Sequence, residues 1–211
     1  MTDETEQYGD SDGDGEGEDR RKKRKRRQPK PLTYERMEAA AFRHLERFAC
    51  SAEELARVLE RKVWRTSRVH PVDEDEARKW IKTIVAKMQR LSLIDDEAYA
   101  EMKTRSLANR GKGRRAIRWA LAAKGVDEQF IEDAIDEYAT EEGDIDRIAA
   151  VNLVKRRRLG PMRPADKRET FFDKDLGALA RAGIPLGLAR EVLALEDEDA
   201  LLSFAEEARE A

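Results

Sequence analysis

From Thr33 onward the apolar residues recur at helical spacing, and no stretch alternates as strand residues do. Met37, Ala40, Ala41, His44, Leu45 and Phe48 trace the first stripe, with Leu32 and Met37 spaced as a hydrophobic staple over its start. Ser51 and Glu54 have the spacing of a capping box and open a second helix carrying Leu55, Val58 and Leu59. Pro71, Asp73 and Glu76 open a third, whose broad stripe is Trp80, Ile81, Ile84, Val85, Met88 and Leu91. A satisfied core residue is the natural reading of His44, which has no second histidine or cysteine at ligand spacing.

Leu93–Ile135 writes its helix ends most clearly. Ile94 precedes an N-cap at Asp95 and is placed to staple onto Tyr99, while Asp96 and Glu97 complement the exposed N–H groups of the first turn. Val126, Asp127 and Ile131 repeat the arrangement one helix pair later. Gly111 and Gly113 bracket Lys112 as a break, and Gly125 after Lys124 is placed as a stop. A third group follows: Ile145, Ile148, Ala149 and Leu153 on a helix ended by Gly160-Pro161, then Phe172, Leu176 and Leu179, then Leu188, Val192 and Leu193. Laying Lys124-Gly125-Val126 on Ala182-Gly183-Ile184 also superposes Leu121 on Leu179, Phe130 on Leu188 and Ile135 on Leu193. The pattern predicts an all-α chain of three tandem three-helix units, at 32–92, 93–142 and 143–195, with an acidic segment at 196–211 as a last amphipathic turn or frayed tail. Units this small bury only about 60% of their unfolded surface, so packing in series as an elongated, gently curved rod is expected. In the first unit, Arg61-Lys62-Val63-Trp64-Arg65 runs on toward Pro71 with no Lys-Gly stop, which lengthens a helix or loop.

The Leu-Ile-Asp-Asp-Glu-Ala-Tyr-Ala helix start at Leu93, the Gly-Lys-Gly-Arg-Arg-Ala-Ile turn at Gly111 and the Leu-Ala-Ala-Lys-Gly-Val close at Leu121 resemble the RecX family of bacterial recombinase regulators. The resemblance is closest over Leu93–Ile135 and looser from Leu32 to Leu195. It implies an all-helical modulator that binds RecA filaments and usually inhibits them, acting in DNA repair and the SOS response.

Composition narrows the picture further. Of 211 residues, 41% are charged and only 6% aromatic, which argues against one thick core. The net charge of −3 neither favours nor excludes nucleic acid, so the local distribution decides. A single cysteine, Cys50, excludes an internal disulfide and suits a reducing cytoplasm; no signal peptide or apolar span is evident. Residues 1–31 separate acids and glycines up to Asp19 from the run Arg20–Arg27 and are expected to be disordered. Asp10, Asp12, Asp14 and Gly15 imitate a calcium loop, but the closing glutamate position holds Arg21, so that motif is rejected. The basic run either grips phosphate or pairs with the acids before it.

No catalytic constellation is present, neither a phosphate loop ending in Lys-Ser or Lys-Thr nor a Gly-x-Ser-x-Gly turn. The carboxylates sit in helix first turns and on exposed faces, so a non-enzyme without metal or cofactor is expected. What remains is local positive charge. Lys103, Arg105, Arg110, Lys112, Arg114, Arg115 and Arg118 gather at one helix junction, and Lys155, Arg156, Arg157 and Arg158, with Arg163, Lys167 and Arg168 beyond, at the equivalent junction of the third unit. Few acids adjoin either cluster in sequence. A solvated face is the plain account of them; a partner with acidic or phosphate surface is the functional one, and the resemblance supplies a RecA-type filament bound by a monomer, with DNA phosphate as a secondary contact. The alternative is a DNA-binding module of helix-turn-helix type acting directly on duplex or single strands. Trp119 lies about 200° around the helix from Ile117 and either fills the seam to a neighbouring unit, the preferred placement, or stands exposed as an anchor.

Overall fold

A computed structural model describes residues 30–210, and among these every regular element is helical. The acidic and basic runs of the tail, including the rejected calcium-loop motif, lie outside the described residues. The first unit comprises α1 (Tyr34–Leu45), α2 (Ala52–Ser67) and α3 (Glu74–Arg90); the second α4 (Asp96–Asn109), α5 (Arg114–Ala122) and α6 (Glu128–Glu142). The third comprises α7 (Ile145–Arg157), α8 (Ala165–Arg181) and α9 (Leu186–Leu193), and α10 (Glu198–Glu210) closes the chain. Each unit has its own core, built around Leu55, Leu59, Ile84 and Met88 in the first, Ile117, Leu121, Ile131 and Ile135 in the second, and Val154, Leu179, Val192 and Leu201 in the third. Among the described residues the extensive helix-to-helix contacts between units are those of α4 and α6 with α7, between the second unit and the third.

Local chemistry accounts for most helix ends. Thr33, Ser51, Asp73, Asp95, Asp127 and Asp144 each accept a backbone N–H at an N-cap. The stops at Gly125 (φ +73°) and Gly183 (φ +87°) take the left-handed backbone that glycine adopts freely. The run without a stop in the first unit extends α2 to 16 residues, against nine for its counterpart α5.

Four placements differ from the pattern along the chain. The first helix ends at Leu45, leaving Phe48 56% exposed with the half-buried His44 ring tilted against it at 5.3 Å, so that histidine is a lid over Phe48 rather than a core residue. Ile94 enters the core of the first unit while Tyr99 belongs to that of the second, because the two residues straddle the boundary. The helix expected to stop at Gly160-Pro161 ends earlier, with Arg158 as a left-handed C-cap (φ +52°), and Gly160–Met162 forms a separate 3-10 turn. The acidic end forms a full helix: Leu201 and Phe204 are buried in the third core, Ala208 is buried where its carbonyl accepts from the Asp144 N–H (2.8 Å), and the Arg147 guanidinium stacks over the Phe204 ring at 4.4 Å.

The two seams between units are built alike. At the first, Ser51 Oγ accepts from the Glu54 N–H (3.1 Å) and donates to the carbonyl of Lys124 (2.5 Å), in the stop turn of the next unit. At the second, the Gly113 N–H donates to the carbonyl of Ala182 (2.9 Å), in the equivalent stop turn one unit on. Beside each, an acid from the first turn of the following unit caps the same helix: Asp96 accepts from the Ala52 N–H (2.8 Å) and Asp146 from the Arg114 N–H (2.7 Å). Burial raises both of these carboxyls above their ordinary pKa, and the N–H each accepts from opposes that rise. The second helix of one unit is thus capped by residues of the next.

Candidate partner-binding face

The second seam brings the two basic clusters together. Gly111, at the end of α4, backs onto Leu153 and the Ala149 carbonyl of α7, and Asn152 Nδ2 donates to the Ala108 carbonyl (3.4 Å). Arg110 and Lys112 therefore emerge beside α7 about one turn before Arg156 and Arg157. Backbone contact at this point needs a residue without a side chain, which is what Gly111 supplies.

Across that face the cations divide into two sets. Arg118 binds Glu132 through two hydrogen bonds of 2.6 Å, with Glu128 at 3.7 Å, and Arg114 reaches Asp136 at 3.5 Å. The Glu132 hydrogen bond, then its charge, holds the Arg118 pKa above its ordinary value. Arg105 spans Glu141 (2.6 Å) and Glu142 (3.2 Å), and Lys103 lies over the Tyr99 ring at 5.4 Å. Acids on α6 spaced one turn apart thus line up against α5, supplying the balance that the sequence around the arginines lacks. By contrast Arg110, Lys112, Arg115, Lys155, Arg156, Arg157 and Arg158 form no ion pair among the described residues.

The basic residues farther along the third unit hold structure instead. Arg163 grips Asp175 with hydrogen bonds of 2.6 and 2.8 Å, and the Gly160 N–H donates to the same carboxylate (3.0 Å). Burial alone would raise the Asp175 pKa; the Arg163 and Gly160 hydrogen bonds, with the charges of Arg163 and Lys174, outweigh it and hold the carboxyl below its usual range. Arg168 donates to the carbonyls of Arg163, Pro161 and Glu196, tying the 3-10 turn to the start of α8 and the approach to α10.

Trp119 is 76% exposed, not buried in the seam as the preferred placement has it. It stands at the rim of a groove of about 620 Å³ between α5 and α8, lined also by Arg115, Ala116, Ala122, Ala180 and Arg181. A second hollow of about 550 Å³ continues it past Gly183 toward Pro185 and Leu186. No group of three or more histidine, cysteine, aspartate or glutamate side chains among the described residues is arranged to hold a metal, and no described helix is long and apolar enough to cross a membrane.

Known proteins resemble this chain in sequence and in fold. A regulatory protein RecX of Myxococcus xanthus is 37% identical over 166 residues, covering 78% of this chain and 88% of that one. The chain belongs to the RecX family. The RecX protein of Halorhodospira halophila is 31% identical over 165 residues, covering 78% of this chain and 91% of its own. The family model for the second three-helix domain of RecX matches residues 95–135, the stretch that runs from the Asp95 cap through α5 to Ile135. A crystal structure of a regulatory protein RecX superposes with a TM-score of 0.53 at 22% identity, covering 75% of this chain and 71% of that one, and so shares the RecX fold. These relatives are named as regulatory proteins.

Proposed function

We propose that this chain binds filaments of a RecA-type recombinase and lowers their ATP hydrolysis, strand exchange and coprotease activity in DNA repair and the SOS response. The observation that carries the reading is the row of units coupled by equivalent seams, with seven cations around the second seam that form no ion pair among the described residues. Exposed contacts contribute only about 0.2–1 kcal/mol each, too little to hold one recombinase subunit. Units joined in one chain turn later contacts into intramolecular ones and raise affinity by about 100-fold or more on a repeating partner. Within the basic face, Arg110, Lys112, Arg115 and Lys155–Arg158 meet the partner, whereas Arg105, Arg114 and Arg118 are committed to α6. DNA phosphate inside the filament adds a salt-dependent part to the binding.

The test compares two charge-reversal variants, Arg115→Glu/Arg156→Glu/Arg157→Glu and Arg105→Glu/Arg118→Glu, as inhibitors of recombinase ATPase on single-stranded DNA. The first set is expected to lose at least tenfold in potency while melting as the wild type does, and the second to lose less. Equal losses would remove the division into free and committed cations. No effect of the wild-type protein on any recombinase, together with tight sequence-selective duplex binding, would instead favour the DNA-binding alternative.

A further inference from the structure

The groove beside Trp119 has an apolar floor, an open indole and cations at its sides, and no described segment fills it. Its floor is Ala116, Ala122 and Ala180, and Arg115 and Arg181 flank it without an ion pair among the described residues. Arg118 at its edge is already saturated by Glu132, and Glu128 also lines it. Such a site suits one ring accompanied by a few carboxylates.

The chain itself carries a segment of that chemistry. Tyr8 is the one aromatic residue among the first 33, with Asp3, Glu4 and Glu6 before it and Asp10, Asp12 and Asp14 after it. Reach is ample. The Ala123 carbonyl, one helical turn beyond Trp119, accepts from Arg57 of α2 (2.7 Å), so the groove begins next to the unit to which the tail is joined. From Tyr8 to Lys30, 22 residues of chain span up to about 75 Å. Covalent attachment also supplies an effective concentration of about a millimolar, at which weak contacts are populated. We propose that the acidic segment Asp3–Asp14 docks in this groove, with the Tyr8 ring against Trp119 and its carboxylates on Arg115 and Arg181. Docking covers Arg115, which the filament-binding reading assigns to the partner, so displacing the tail would regulate binding; that consequence rests on the reading above, whereas the docking does not.

The test uses the full chain with a nitroxide on Ser11→Cys and follows the three tryptophan indole N–H signals by NMR. Cys50 is a tolerable background because it is 4% exposed and burial, with Glu54 and Asp96, pushes its thiol up to about 11, so brief labelling at neutral pH selects the new cysteine. Trp64, 59% exposed on the first unit, is the internal control. Broadening at Trp119 at least fivefold that at Trp64 is expected, relieved by high salt and by Arg115→Glu/Arg181→Glu. Equal broadening at both, or none, as when the acids pair with Arg20–Arg27, would overturn the proposal. So would a label that leaves Trp119 untouched while a twelve-nucleotide thymidine strand shifts its signal, an outcome that assigns the groove to nucleic acid.

Discussion

Gly183→Ala tests whether the seam between the second and third units holds the molecule together. A Cβ at Gly183 would lie 2.7 Å from the Ala116 nitrogen and 2.8 Å from its Cβ, both on α5 across the seam, and neither is the end of a flexible side chain. Its φ of +87° adds a conformational cost of about 1–2 kcal/mol for a residue with a side chain. Separating the two elements enough to admit a methyl group also weakens the Gly113 to Ala182 hydrogen bond (2.9 Å), worth about 1 kcal/mol. Together these destabilise by about 3 kcal/mol, which for a chain of this size lowers the melting temperature by roughly 6–12 °C. Gly187→Ala is the matched control, since nothing lies within 4 Å of a Cβ there; replacing this glycine in α9 is expected to be neutral or to stabilise by up to about 1 kcal/mol. Differential scanning calorimetry of both variants, with the wild type, reads the difference. A Gly183→Ala protein melting with the control would refute a close-packed seam.

Two further perturbations probe the third unit. Asp175→Asn leaves Arg163 without its buried counter-charge and is expected to cost about 3 kcal/mol in urea unfolding at neutral pH. Because the folded pKa of Asp175 is depressed, the stability it brings is fully present above the ordinary carboxylate range and is lost as pH falls through the folded value, so the wild-type advantage should hold at pH 6 and shrink below about pH 4. A gap independent of pH would show that the pair is not charged. Leu201→Ala, at a fully buried position of α10, should cost about 2–5 kcal/mol, and a loss under about 0.5 kcal/mol would mean that α10 does not seal the third core.

How much of this is legible along the chain follows from the range of the forces involved. The caps at Ser51, Asp73, Asp95 and Asp127 and the stops at Gly125 and Gly183 are set by a residue and its neighbours within one turn, and they read directly. Arg158 does not, because a left-handed arginine is held there by its surroundings rather than by its own preference. The commitment of Arg118 to Glu132 depends on which face of α6 meets α5, a tertiary fact that spacing on either helix leaves open. Trp119 shows the same limit: its angle from Ile117 excludes the core of its own unit but not a neighbour's surface, and only the closeness of Gly183 to Ala116 shows that the seam seals without it. A signal was present for α10, since Leu201, Phe204 and Ala208 have helical spacing, but an acidic terminus resembles a solvated end until Arg147 is seen against Phe204.

The seams also carry a consequence for synthesis. Ala52 waits for a carboxylate 44 residues later in the chain, and Arg114 for one 32 residues later. At about 5–20 residues per second, the N–H at the start of each second helix is made some 2–9 s before the carboxylate that caps it. Folding is therefore ratified from behind, each unit provisional until its successor arrives. A ribosome stalled within the third unit would hold a nascent chain whose first seam is closed and whose second is still open to water.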